Sequence, residues 1–335
     1  MRIVFWGTPA YAVPSLDALQ RAGHRVAAVV TQPDRRRGRG SRAQPSAVSI
    51  RATELGLPVL TPERIRRDPD LQDRIGALQA DVHVVVAFGQ ILPPEVLAQP
   101  PLGCWNGHGS LLPRWRGAAP IQWSLLEGDP QTGVGIMAME AGLDTGPVLL
   151  ERSLPIGLLD NAEQLGDRLS RLTAELLVEA LPRIEAAGPG SPEQRLGRLA
   201  VRNQDGAQVT YARLLLKEDF RIDWRRQALG LHRQVMGLYP GAYAQWHDKR
   251  LKLLATEPLV HRLADQLSEE ARQLLDGSWA GNPGDVLHRE PGVGLVVATG
   301  GCPLLIRRAQ LEGRGPQGGS ALIQQLAASG GSQLG

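Results

Sequence analysis

Only two cysteines occur in the 335 residues, Cys104 and Cys302, one in each half of the chain. That excludes a disulfide framework and any cysteine-based metal spacing, and fits a reducing compartment. No apolar run approaches the roughly 18–20 residues needed to cross a bilayer. Lysine is absent from residues 1–207, and 34 of the 37 basic residues are arginine. Arginine abundance is therefore a chain-wide bias and by itself says nothing about nucleic acid. The first strand-to-helix turn, Gly7-Thr8-Pro9-Ala10-Tyr11-Ala12, carries one glycine where a dinucleotide fingerprint needs three. No Gly-Lys-Ser/Thr occurs anywhere, so a phosphate-cradling loop of the nucleoside triphosphatases is excluded as well.

What is present describes an ordinary globular chain, 42% hydrophobic and 21% charged, with a length that suggests two domains. The opening "MRIVFWGTPA" runs straight into a turn, so no cleavable leader is expected. "RIVFWG", a helical "SLDALQRAGH" and the Val-rich "RVAAVVTQ" make a βαβ unit, which favours a parallel sheet. Further strands are expected at "PVLTP", "DVHVVVAFG", "GCWNGH" and "GVGIMAME", with helices at "DPDLQDRIGAL", "AAPIQWSLLEG" and, longest, Asn161 to Ile184 behind an Asn cap. Residues 1–187 are thus read as an α/β, Rossmann-like catalytic domain. The Pro/Gly-punctuated stretch 188–206 is read as a linker. Residues 207–315, with a helical patch from Trp224 to Gly237 and then short strands between turn signals, are read as a small OB-like β-barrel. The Gly/Gln/Ser-rich residues 316–335 are expected to be a loosely packed tail.

Ligands of open α/β sheets bind at the carboxyl ends of strands, which directs attention to "CWNGHGSLLPRWRGAAPIQW". Asn106 and His108 stand at i and i+2 of a strand end and so share a face. The amide can donate to a developing oxyanion and the imidazole can manage protons near neutral pH. Asp144, in the glycine-flanked "MEAGLDTGPVL", is a candidate carboxylate to orient that imidazole. Each has a plainer alternative: Asn-x-His as a satisfied turn-former, Asp144 as the side chain of an Asx-turn. The other six histidines share no spacing, and no metal is expected. The run "DRRRGRGSR", Asp34 to Arg42, packs five arginines into nine residues and is either a phosphate-tracking loop or a solvated face.

"NGHGSLLPRWRGAAPIQW" followed by "GVGIMAMEAGLDTGPVL" resembles the signature of the folate-dependent formyltransferases. "FWGTPAYAVPSLDAL", "TQPDRRRGRG", "AFGQILP", "YARLLLKEDFRIDW" and "PGDVL" extend the resemblance over nearly the whole chain, toward the branch that acts on initiator tRNA. The resemblance implies a Rossmann-like formyltransferase domain and a carboxy-terminal OB-like domain that helps hold tRNA. The implied reaction passes the formyl group of 10-formyltetrahydrofolate, a co-substrate, to the α-amino group of methionine esterified to initiator tRNA, in the cytoplasm, by a monomer without metal. It implies that Asn106 bonds the formyl oxygen, His108 handles protons and Asp144 supports the imidazole. It further implies a folate pocket lined by Phe88, Gly89, Gln90, Ile91 and Leu92, with Ser110, Leu111, Leu112 and Pro113 as wall and turn. Arg39 and Arg42 become candidates for tRNA contact. Gly107 stands where the family commonly has Val, Ile or Ala, so a more flexible strand end is expected. "LYPGAY", Leu238 to Tyr243, is shorter than the family's corresponding segment. Transfer to an amino sugar, or RNA binding without catalysis, are the competing readings.

The Arg-rich run generates a direct expectation. Arg39→Ala should weaken tRNA binding and lower the slope of log affinity against log salt by about one, while folate affinity stays unchanged. An unaltered tRNA affinity and salt slope in a filter-binding titration would refute that role.

Overall fold

The computed structural model describes residues 1–36, 43–327 and 332–335. Arg39 and Arg42 lie outside the described residues. The chain forms two units by alternation: residues 1–120, 132–154 and 166–213 make the first, and residues 121–131, 155–165 and 214–335 the second.

The first unit is built on a seven-stranded sheet. In spatial order its strands are Val148–Pro155, Gln131–Ala138, Cys104–His108, Val82–Val86, Arg2–Gly7, Arg25–Val30 and Val59–Leu60. From Cys104–His108 to Val59–Leu60 the pairing is parallel, as the βαβ reading requires. Cys104–His108 pairs antiparallel with Gln131–Ala138, so the sheet is mixed, with the change of direction falling beside the predicted site. The central strands Val82–Val86 and Cys104–His108 are buried along their whole length, which explains why they read as continuous apolar runs rather than alternating ones. Helix Pro69–Gly76 opens with Asp68 capping the Leu71 amide, and helix Ala47–Glu54 with Ser46 capping Ser49. The long helix covers Ala162–Ala187, with the Asn161 side chain accepting from the Gln164 amide, as the Asn cap predicts.

The interval 188–206 is not bare chain. It carries a helix, Pro192–Gly197, closed by a Ser191/Gln194 capping box, and Arg202 pairs with Val148 through both backbone bonds. Its Gly/Pro punctuation marks the helix ends.

In the second unit the expected strands occur as Tyr243–Trp246, Lys249–Pro258, Leu304–Leu311, Gly294–Val297 and Val286–Glu290 in spatial order, with Gln317–Gly318 paired on Leu304–Leu311. All these pairings are antiparallel. The sheet agrees with the OB-like reading, and both of its edge strands bond the segment 332–335: the Val286 amide donates to the Ser332 carbonyl, and Gln245 and Gly335 exchange backbone hydrogen bonds. Helix Ala228–Gly237 packs Leu231 and Val235 into the core against Leu251, Leu253 and Ile306. The buried Glu257 carboxylate is fully partnered: it accepts from the Ser268 amide and hydroxyl and from Arg307 Nη1 at 2.7–2.8 Å. Residues 316–327 and 332–335 differ from the loose tail expected. Helix Gly319–Leu326 buries Leu322 and Leu326, and Leu334 is buried too. Three leucines spaced through a polar segment supply enough apolar surface to dock it.

His83 makes the first unit acid-sensitive. Its ring lies 5.6 Å from that of Trp6, its Nδ1 has no hydrogen-bond partner among the described residues, and burial holds its pKa down to about 3. The folded protein keeps this imidazole neutral while the unfolded chain protonates near 6.5, so stability falls as pH drops below 6.5 and continues falling toward 3. At pH 5 the loss amounts to about 2 kcal/mol. In denaturant unfolding at pH 7.5 and pH 5, His83→Leu should remove roughly that much of the difference; an unchanged difference would exclude His83 as its source.

Candidate active site

The strand Cys104–His108 delivers its two polar side chains to one face, since Gly107 between them faces the other. Asn106 is 9% and His108 6% exposed. Among the described residues the Asn106 side chain has no hydrogen-bond partner, and its amide is left to meet a ligand. His108 Nε2 lies 2.9 Å from the Trp115 carbonyl and Nδ1 lies 3.7 Å from Asp144 Oδ2. A carbonyl only accepts, so Nε2 carries the hydrogen, and Nδ1 is the nitrogen left to gain or lose a proton beside the carboxylate.

Asp144 is not the anchor of an Asx-turn. Its Oδ2 accepts from the Gly117 amide at 2.8 Å, twenty-seven residues away, and its backbone adopts the left-handed conformation, φ 51°. Non-glycine residues rarely sit there without being held, and the loop is held from outside. Gln204 donates to the carbonyls of Asp144 and Gly146 at 2.8 and 2.7 Å, while its oxygen accepts Nε and Nη2 of the buried Arg116 at 3.0 and 2.8 Å. The turn between His108 and Gly117 is pinned from the same direction. Trp115, itself left-handed at φ 62°, donates its amide to Thr210 Oγ1, and Arg116–Gly117 pairs parallel with Tyr211–Ala212. Sequence reasoning missed Gln204, Thr210 and the Trp115 carbonyl. The "NQDGAQVTYA" stretch held no signal beyond its polar residues.

The residues expected to line a folate pocket divide into two groups. Phe88 and Leu92 are buried in the core with Trp6, Ile65 and Val96, and Phe88 meets Trp6 edge-on at 5.1 Å. The Phe88 carbonyl accepts from Thr8 Oγ1 and Gln32 Nε2, and the Gln90 side chain is spent on Ile65, Pro62 and Glu63 backbone. Gly89 is left-handed at φ 86°, and Ile91 is 63% exposed. This segment therefore offers a ligand its backbone and Ile91, its other side chains being committed. In the second group Ser110 is fully buried and donates to the Arg114 carbonyl at 2.6 Å, so its hydroxyl is held in the turn. Leu112 packs with Met137 and Val148, the Leu112–Pro113 peptide is cis, Pro113 is buried, and Leu111 is half-buried. The Cys104 thiol, raised to about 12 by burial, is no nucleophile. Among the described residues no cluster of three or more His, Cys, Asp or Glu side chains is arranged to hold a metal. No helix among them is long and apolar enough to cross a membrane.

A strand end that carries Asn106 and His108, with the Asp144 carboxylate beside it, brings together groups suited to acyl transfer. Residues 1–181 match the formyl transferase family and residues 215–327 the formyl transferase C-terminal domain; the chain belongs to the formyl transferase family. It is 67% identical over 329 residues to a methionyl-tRNA formyltransferase of Synechococcus sp. strain RCC307, covering 97% of this chain and all of that protein. Among solved structures it is similar to an N-formyltransferase of Helicobacter canadensis in complex with folinic acid and dTDP-3-aminofucose, with TM-score 0.62 and 15% identity over 91% of this chain and 98% of that one. It is also similar to HypX of Aquifex aeolicus in complex with tetrahydrofolic acid, with TM-score 0.60 and 16% identity, covering 98% of this chain and about half, 48%, of that protein. At those identities the structural likeness is one of fold.

Gly107 sits where a side chain has no room. A Cβ at this position would lie 2.5 Å from Thr173 Cγ2. Thr173 is fixed in turn, donating to the Leu169 carbonyl and accepting from the buried Tyr11 hydroxyl, which burial pushes up to about 12. Gly107→Val should therefore destabilise by about 1–3 kcal/mol through overpacking. Thr173→Ser, which removes the methyl and keeps the hydroxyl, should restore most of that loss in chemical denaturation. A neutral Gly107→Val, or no rescue, would contradict this packing.

Proposed function

We propose that the chain transfers the formyl group of 10-formyltetrahydrofolate to the α-amino group of methionyl initiator tRNA, producing N-formylmethionyl-tRNA for translation initiation in the cytoplasm. The observation that carries the substrate assignment is the 67% identity to a methionyl-tRNA formyltransferase over the whole of that relative. What supports the chemistry is the grouping of Asn106, His108 and Asp144 around one strand end.

The neutral amine attacks the formyl carbon, and the carbonyl electron pair moves to oxygen. Asn106, whose amide has no other partner among the described residues, donates to that oxyanion. His108 takes the ammonium proton of the intermediate at Nδ1 and returns it to the folate nitrogen. The C–N bond to folate then breaks, releasing tetrahydrofolate and the new formamide. Asp144, 3.7 Å from Nδ1, stabilises the imidazolium formed between the two proton transfers. No acyl-enzyme is needed, in keeping with a Ser110 hydroxyl already bonded to the Arg114 carbonyl. Phe88 to Leu92 and Leu111 to Pro113 would border the folate, mainly through backbone. Arg39 and Arg42 remain proposed tRNA contacts, and a monomer is the proposed working form.

Purified protein should formylate charged initiator tRNA with 10-formyltetrahydrofolate and leave a nucleotide-linked amino sugar unmodified. Asn106→Ala should cost about 10²–10³ in kcat, as loss of one oxyanion donor does. His108→Ala should cost about 10²–10⁴. Asp144→Asn, which keeps an oxygen for the Gly117 amide, isolates the charge and should also depress kcat. Wild-type kcat in either the His108 or the Asp144 variant would refute the mechanism; preference for the amino sugar would refute the acceptor.

A further inference from the structure

We infer that Gln204 is a positioning residue for the reaction: its side-chain amide locks the Asp144 loop against the turn that carries Gly117. The inference rests on the reading of Asp144 as the catalytic carboxylate.

Four hydrogen bonds converge on this one amide. Its Nε2 donates to the carbonyls of Asp144 and Gly146, and its Oε1 accepts Nε and Nη2 of Arg116. Arg116 is followed directly by Gly117, whose amide holds Asp144 Oδ2. The contacts thus close a ring: carboxylate of 144, amide of 117, guanidinium of 116, amide of 204, carbonyl of 144. The ring grips Asp144 at both its side chain and its backbone, which fixes the carboxylate relative to His108.

Only a primary amide of this length satisfies the ring. The two carbonyls demand donors and the guanidinium demands an acceptor, so the orientation of the amide is dictated by its partners. The loop needs such a grip because Asp144 is left-handed, and because Gly146 runs so close to the Ala138 carbonyl that a Cβ there would collide with it. Arg116, buried beside the site, is thereby committed to holding the loop. Among the described residues Gln204 is hydrogen-bonded to neither His108 nor Asn106, so its effect on the chemistry passes through the Asp144 loop and the Arg116–Gly117 turn that it holds.

Gln204→Glu separates the halves of this role. The carboxylate keeps acceptors for Arg116 but loses both donors and sets negative charge against two carbonyls. With the full-length protein, kcat should fall about 10- to 100-fold, the effect of a displaced catalytic group, while KM for 10-formyltetrahydrofolate and for methionyl-tRNA stay within about twofold. In an Asp144→Asn background the same substitution should cost little more in single-turnover rate, because its target is already disabled. Gln204→Met, neutral and of similar length, should give the same pattern and covers the case in which the glutamate variant folds poorly. An unchanged kcat in both variants, or a full multiplicative loss in the Asp144→Asn background, would overturn the inference while leaving the formyl transfer intact. If Asp144→Asn alone has wild-type kcat, the underlying reading of Asp144 fails and this inference fails with it.

Discussion

The site depends on one backbone hydrogen bond, the 2.8 Å contact from the Gly117 amide to Asp144 Oδ2. The carboxylate is nearer to this amide than to the imidazole it accompanies, 3.7 Å away. An uncharged N–H holds the acid in place through Oδ2, the same oxygen that lies toward His108 Nδ1, and leaves the carboxylate its charge. The opposite side of the imidazole is held in the same manner, by the Trp115 carbonyl. Both fixtures belong to one short turn, so the conformation of residues 109–117 sets the geometry of His108 and Asp144 together. That explains a turn rigidified by two buried polar commitments, Ser110 to the Arg114 carbonyl and the Trp115 amide to Thr210.

How much of this was legible in the sequence follows from which groups carry it. The strands of the sheet were readable because unbroken apolar runs such as "DVHVVVAFG" have no other compact use than a doubly covered strand. Asn106 and His108 were readable as a pair because a strand has period two. Asp144 was readable as a candidate but not as a partner, since nothing local reveals that a loop thirty-six residues on returns to His108. The Trp115 carbonyl was invisible in principle: every residue but its conformation could supply one. Gln204 and Thr210 were hidden for a different reason, lying in a stretch whose glycine and polar residues resemble a spacer until its tertiary partners are known. The expected tail was misjudged because three well-spaced leucines were outweighed by glycine and serine around them.

Two buried side chains show how the fold protects the chemistry from its surroundings. Cys104 heads the strand that ends in His108, yet burial raises its thiol to about 12 and keeps it protonated, so oxidation and alkylation have no thiolate to attack. Thr173 occupies the space left by Gly107 and ties the long helix to Tyr11 through a hydroxyl pair at 2.8 Å. Glycine at the strand that carries Asn106 and His108 is here a matter of volume, filled from a neighbouring helix, and not of backbone freedom.

The alternation of the chain between its two units has a consequence for how such a protein can evolve or be divided. Asn106, His108 and Asp144 lie in segments 1–120 and 132–154, separated by residues 121–131, which fold with 214–335 instead. Residues 155–165 do the same, with the Leu158 carbonyl bonded to the buried His232. No single cut in the chain therefore yields both units whole. Recombination that exchanged one half for another would have to carry these short inserts along with the distant part they serve, which binds the inheritance of the segments holding Asn106, His108 and Asp144 to that of their carboxy-terminal companion.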